Sequence, residues 1–268
     1  MEAALAASLT AGWSVLSHGG PALDAVVEAV AAMEDSGLFN AGRGSVPTTA
    51  GRLETDAAVM DGRTGAAGGV CAATWPANPV RAALLVSQGA AGGGGEGRFQ
   101  AILLAGAGAD RLAREAGLAP MPAPPPGAGA EGEDGAAAGT VGAVAVDGAS
   151  HVAAATSTGG RPGQPPGRVG DSPIIGAGTW ADNATAAISA TGTGEAFVLA
   201  GFAHLVDWAA RRGSALDDAM AAALAAVSAR GGSGGGIAIG TSGQFSLLWD
   251  TPAMARGWRD GGALVTLV

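Results

Sequence analysis

Between Leu118 and Gly139 the chain runs LAPMPAPPPGAGAEGEDGAAAG, a stretch with almost no bulky apolar side chains. Such a stretch cannot bury enough surface to offset the entropy of ordering it, so it reads as an exposed linker open to cleavage. It gives way abruptly to an alternating strand that starts at Thr140 and runs Thr140-Val141-Gly142-Ala143-Val144-Ala145-Val146-Asp147. Thr140 is thus placed as a nucleophile inside a precursor. Breaking the Gly139–Thr140 bond would give Thr140 a free α-amine, with an ordinary pKa of about 7.7–8.0, beside its hydroxyl. One residue then supplies both nucleophile and base.

A chain of 268 residues is long enough for a sizeable core, and a single layered domain is expected over 1–268. Cys71 is the only cysteine, which excludes an intrachain disulfide framework and a multi-thiolate zinc site. His18, His151 and His204 lack metal-ligand spacing and read as surface or packing residues. All 14 basic residues are arginine. With no lysine there is no Walker-type phosphate site, no Schiff-base cofactor and no Ser-Lys dyad. A net charge of −9 with dispersed arginines argues against nucleic acid and for a small-molecule partner. Glu2 stands where a secretory signal would carry basic residues, and no window is long and apolar enough for a membrane span. The expectation is a cytoplasmic protein.

Periodicity predicts helices at Glu2 to Leu16, from Pro21 to Gly37, and at Asn78 to Val86, Ala109 to Ala116, Glu195 to Arg211 and Ala215 to Arg230. In the second of these Leu23, Val26, Val27, Val30 and Met33 form one apolar face. Strands are predicted at Thr55 to Met60 and Ala66 to Trp75, joined through Asp61-Gly62, and at Ala101 to Leu104. Further strands follow at Thr140 to Asp147, His151 to Thr156, near Ala186 to Ala190, across Gly236 to Trp249, and at Leu264 to Val268. Helices grouped around antiparallel hairpins imply an α+β layered fold.

Four runs after the linker offer hydroxyls, glycine N–H groups and an Arg/Asp couple: Thr140-Val141-Gly142, Ser157 to Gly160, Gly167 to Pro173 and Ala190 to Glu195. These are the parts needed to hold an amino acid beside a nucleophile. Arg168 and Asp171 would grip a carboxylate and an ammonium, or else form a plain surface ion pair. Thr191 and Gly192 precede a helix and would stabilise an oxyanion or cap that helix, and Thr158 is open to the same two readings. Gly231-Gly232-Ser233-Gly234-Gly235 matches G-x-S-x-G, but a helix precedes it, strands follow, and no histidine lies downstream.

Taken together, GGPALDAVVEAV, LFNAGRGSV, ETDAAVMDGRTGAAGGV, GTVGAVAVD, ATSTGGRPGQPPGRVGDSPIIGAG, SATGTGE and GGSGGGIAI resemble the plant-type L-asparaginase/isoaspartyl peptidase family of N-terminal nucleophile hydrolases. The resemblance spans nearly the whole chain. It implies a four-layer αββα sandwich that cleaves itself at Gly139–Thr140 into an α chain of 1–139 and a β chain of 140–268, paired as an (αβ)₂ homodimer. It also implies Thr140 as nucleophile, Thr158 and Asn40 in support, Arg168 and Asp171 on the substrate α-carboxylate and α-amine, and Thr191 with Gly192 as the oxyanion hole. The implied reaction releases L-aspartate from L-asparagine or β-aspartyl peptides without a cofactor. Backbone carbonyls of Leu38, Phe39, Ala41 and Gly42 would hold a structural sodium ion. Family members usually open with a strand ending in a His-Gly-Gly-Ala-Gly-like segment, so this fold is expected to lack its usual first strand. Rival readings are a non-catalytic binding module and a glycosylasparagine-specific amidase.

Overall fold

The computed structural model describes residues 1–90, 100–123 and 139–268. Most of the tract read as a linker, 124–138, lies outside the described residues.

The chain opens with α1 (Glu2–Ser17) and α2 (Ala22–Ser36), and α2 stops at Gly37, whose φ of 67° is a left-handed conformation. Of the predicted stripe, Val26, Val27, Val30 and Met33 are buried and Leu23 is half-buried. Strands β1 (Thr55–Asp61) and β2 (Ala67–Ala73) pair antiparallel. Five residues, 62–66, join them, so the expected tight turn at Asp61-Gly62 is a longer loop in which Gly65 N–H bonds back to Asp61. After α3 (Pro79–Ser87), β3 (Leu103–Ala105) adds parallel to β2 and leads into α4 (Ala107–Glu115).

From Thr140 the chain enters β4 (Val141–Val146) and β5 (Val152–Thr158), and the latter runs two residues past its expected end, so Thr158 is on a strand. A short β6 (Thr179–Ala181), absent from the sequence expectation, precedes β7 (Ala186–Gly192). The single helix expected over Glu195 to Arg211 is two, α5 (Gly194–Ala200) and α6 (Phe202–Arg211), broken where Gly201 adopts φ 63°. Then come α7 (Leu216–Ser228), β8 (Gly234–Gly240), β9 (Phe245–Trp249), an unexpected β10 (Arg256–Arg259) and β11 (Leu264–Leu267).

The strands form sheets of order β3-β2-β1-β5-β4 and β6-β7-β8-β9, plus the β10-β11 pair. One core, including Val26, Val30, Val59, Val80 and Ala155, lies between the first sheet and helices α1 to α3. A second, built on Ile188, Phe197, Phe202, Met220 and Val227, lies between the second sheet and α5 to α7. A third, smaller one of Met60, Ala67, Val152, Ala154, Ala181 and Ala187 joins the two sheets. The small side chains there let β4 and β5 approach β7 closely enough for Thr156 and Ser189 hydroxyls to meet at 2.7 Å. This juxtaposition brings the head of β4 and the C-terminal ends of β5 and β7 to one place. Among the described residues, no helix is long and apolar enough to cross a membrane.

Glu34, on the inner face of α2, is fully buried and accepts the Val80 N–H at 3.1 Å. Burial raises its carboxyl from 4.5 to about 8, against the pull of the polar groups beside it, the Val80 N–H among them. The folded chain therefore keeps a proton that the unfolded chain gives up above about 4.5. Stability from this site must fall as pH rises from there to about 8. Glu34→Gln is expected to flatten that decline in melting temperature, and identical slopes for the two proteins would refute it.

Candidate active site

Thr140 is half-buried at the head of β4, one residue after the exposed Gly139. Its Oγ1 donates to Thr158 Oγ1 at 3.0 Å, and Thr158 Oγ1 also accepts from Gly160 N–H at 3.1 Å. Antiparallel pairing of β4 with β5 sets this arrangement, since the register Val141↔Ser157 carries the two threonines to the same end of the ladder. Asn40 makes no hydrogen bond to Thr140 among the described residues. Its backbone carbonyl accepts from Gly159 N–H, its Nδ2 donates to the Gly160 carbonyl at 2.6 Å, and its Oδ1 accepts from Val46 N–H. Asn40 thus fastens the turn after Thr158 to the 38–45 loop.

Thr140 and Thr158 open on a cavity of about 340 Å³ that also exposes Arg168, Asp171, Gly192 and Glu195. That volume suits a ligand of amino-acid to dipeptide size. Thr191 and Gly192 are the last residues of β7, and α5 begins at Gly194 with Thr193 at its N-cap and no side-chain cap. The capping alternative for Thr191 is therefore excluded. Its hydroxyl lies 3.4 Å from where a Cβ on Gly139 would stand, beside the Gly139–Thr140 bond. Gly192 has φ 150°, and a Cβ there would meet the Ser233 carbonyl and come within 2.6 Å of Gly234 Cα. Only glycine fits.

Arg168 does not pair with Asp171. Its Nε and Nη2 bind both oxygens of Glu195, at 3.0 and 2.9 Å, which holds the Glu195 carboxyl down at about 2. The side-on face of the guanidinium is occupied, and its end-on donors have no hydrogen-bond partner among the described residues. Asp171 is buried, and its Oδ2 has no hydrogen-bond partner among the described residues. Desolvation drives its carboxyl up to about 7 despite the nearby Arg168. A Cβ added to Gly194 would stand 2.9 Å from both Arg168 Nη2 and Asp171 Oδ1. Gly194 thus keeps open a gap with a cation on one side and a carboxylate on the other.

Glu195, Gly194 and Ser233 belong to the site without having been singled out from the sequence, although SATGTGE contains the first two. The Gly231–Gly235 run is not a nucleophile elbow: Ser233 sits in the connection from α7 to β8 and exchanges hydrogen bonds with Thr193. The histidines are structural in setting, with His204 edge-on to Trp180 at 4.3 Å, His151 beside Asp147, and His18 on the Ser14 carbonyl. In the 38–45 loop the carbonyls of Phe39, Ala41 and Gly42 accept from Ala41, Gly44 and Ser45 N–H groups. Those of Gly37 and Phe39 converge where a Gly44 Cβ would be. A second, larger and mostly apolar cavity of about 790 Å³ runs between α1, β4, β8 and β10 and reaches Thr140 from behind.

A mixed α/β chain with two hydroxyls, an arginine and a buried carboxylate around one amino-acid-sized cleft belongs to the class of hydrolases. The asparaginase family model matches residues 1–125 and 124–268, and the chain is a member of that family. It is 39% identical over 285 residues to an isoaspartyl peptidase of Salmonella typhimurium, covering 97% of this chain and 87% of that protein. To a plant-type L-asparaginase of Pyrobaculum calidifontis it is 38% identical, with 98% and 91% covered. To the human isoaspartyl peptidase/L-asparaginase it is also 38% identical, with 91% and 82% covered.

Proposed function

We propose that this chain is a threonine amidohydrolase that cuts its own Gly139–Thr140 bond and then releases L-aspartate from L-asparagine and β-aspartyl dipeptides. The observation that carries this reading is the Thr140–Thr158 hydroxyl pair, 3.0 Å apart, in the same cleft as Arg168 and Asp171. The end-on donors of Arg168 take the substrate α-carboxylate, Asp171 takes the α-ammonium, and the β-carbonyl is left facing Thr140. Thr140 Oγ1 attacks that carbon while the freed α-amine of Thr140 receives the hydroxyl proton. Thr191 Oγ1 and Gly192 N–H stabilise the oxyanion. When the C–N bond breaks, the proton passes to the leaving nitrogen, which departs as ammonia or a peptide amine. Water then attacks the β-aspartyl ester, releasing aspartate and restoring the hydroxyl. Thr158 orients Thr140 in both reactions, and Asn40 supports it through the 159–160 turn.

The reaction balances with water alone, so no catalytic cofactor enters. The loop carbonyls of Leu38, Phe39, Ala41 and Gly42 suit a structural sodium ion, which takes hard oxygen donors. The Phe39, Ala41 and Gly42 oxygens each keep a lone pair beyond the one used in the loop's turns. Three separate cores, one between the sheets and one outside each, support a four-layer αββα sandwich. Processed protomers are further read as an (αβ)₂ homodimer, which light scattering tests.

Mass spectrometry of purified protein, with asparagine and β-Asp-Leu hydrolysis on the same sample, tests the function. Gly194→Ala adds a methyl group between Arg168 and Asp171 and is expected to raise KM for asparagine at least about tenfold, a cost near 1.4 kcal/mol. Cleavage before Thr140 should be unaffected. An unchanged KM would show that the substrate head group binds elsewhere.

A further inference from the structure

The loop that carries Arg168 and Asp171 is held from below by two buried acids that do not line the cleft. Glu54 Oε2 accepts Gly167 N–H at 2.6 Å, and Asp56 Oδ2 accepts Gly170 N–H at 3.3 Å. Glu54 and Asp56 are 8% and 3% exposed, so each carboxylate has left water and is satisfied chiefly by backbone donors. They sit two residues apart, Glu54 just before β1 and Asp56 within it.

A defect in the sheet aims Asp56. The β1–β2 register jumps from Thr55↔Ala73 to Ala57↔Val70, leaving Cys71 and Ala72 opposite Asp56 alone. This is a β-bulge, a feature that re-aims side chains beside active sites. Ala72 takes φ 46°, a left-handed conformation costly for a residue with a Cβ, and its N–H turns onto Asp56 Oδ1 at 2.8 Å. One oxygen of Asp56 is thus anchored to the bulge while the other reaches the loop.

We propose that Glu54 and Asp56 are positioning residues of the substrate head-group site, fixing the backbone on both sides of Arg168 so that its guanidinium and the Asp171 carboxylate stand at the spacing an α-amino acid requires. The inference rests on the reading of Arg168 and Asp171 given above. Neither acid touches the reacting atoms, so their loss acts on binding of the α-carboxylate and α-amine and leaves bond-breaking at Thr140 intact. The electrostatics agree. Asp56 places a second buried acid behind Asp171, and its charge adds to the desolvation that raises the Asp171 carboxyl.

The test measures asparagine kinetics, the N-terminus at Thr140, and calorimetric binding of L-aspartate, which carries the same head group. Glu54→Ala removes one acceptor. Asp56→Asn keeps an oxygen for Ala72 but turns an amide donor toward Gly170 N–H. Both are expected to raise KM and weaken L-aspartate binding about tenfold, with kcat within about twofold and processing complete. Glu54→Gln, which keeps an acceptor, should restore the wild-type values. Folded, processed variants with KM unchanged, or with kcat reduced and KM unchanged, would overturn the proposal. Insoluble or unprocessed material from both variants would overturn it too, because the acids would then be holding the fold and not the clamp. Should the wild type bind L-aspartate without hydrolysing asparagine, the enzymatic reading fails while the aspartate affinities still judge Glu54 and Asp56. Wild type that binds neither defeats both.

Discussion

Thr140→Ala protein is expected to remain one polypeptide and to release no aspartate, with activity at least about 10⁴-fold below the processed wild type, the scale of losing a covalent nucleophile. The same oxygen is asked to do two jobs, attack on Gly139 and attack on substrate, so one substitution must abolish both. Thr140→Ser keeps the oxygen and should still process and turn over. Thr158→Ala leaves the nucleophile but removes its 3.0 Å partner, so it should slow both reactions without stopping either. Intact mass reads the first reaction, and aspartate release reads the second. A Thr140→Ala chain that still splits before residue 140 would place the nucleophile elsewhere. A wild-type chain that stays whole after prolonged incubation would leave the binding-module reading in possession.

What the sequence disclosed follows from the range of the interactions concerned. The stripe of α2 and its stop at Gly37 depend on neighbours three and four residues apart, and both are as expected. Alternation marked β4 and β5 as strands, but their register is set by a five-residue connection, 147–151, and not by a tight Asp-Gly turn; that register brings Thr140 to Thr158. Arg168 and Asp171 were read as a couple because they are three residues apart. The guanidinium instead takes Glu195, 27 residues on, because the start of α5 lies across the cleft and a side-on fork suits its carboxylate better. Glu54 and Asp56 reach Gly167 and Gly170 over 113 and 114 residues, and no local pattern could announce that. The break at Gly201 was missed, because a lone glycine inside a helical pattern is often tolerated. β6 and β10, at three and four residues, were too short for a periodic signal.

Arg168→Ala is expected to lower kcat/KM for asparagine by about 10²–10³-fold, the range for truncating one partner of a desolvated charge pair. The loss exceeds a missing contact because Glu195, half-exposed and partly screened by water, then faces the substrate carboxylate with like charge. Arg168→Lys should recover little, since an ammonium cannot serve Glu195 side-on and a substrate carboxylate end-on at once. The pH profile separates this account from general damage. Asp171, raised to about 7, is neutral below that value and then attracts no ammonium, so asparagine affinity is full above about 7 and lost as pH falls through it. The α-amine of processed Thr140 also gains a proton as pH falls, but that acts equally on succinamic acid, which lacks an α-amine. The asparagine-to-succinamate ratio of kcat/KM therefore reports the head-group acids, Asp171 with Asp56 behind it, whose own carboxyl is raised to about 6. In Arg168→Ala the nearby positive charge that lowers Asp171 is gone, so the acid limb of that ratio should move to higher pH. A limb that stays in place would mean that Arg168 and Asp171 do not share one head-group site.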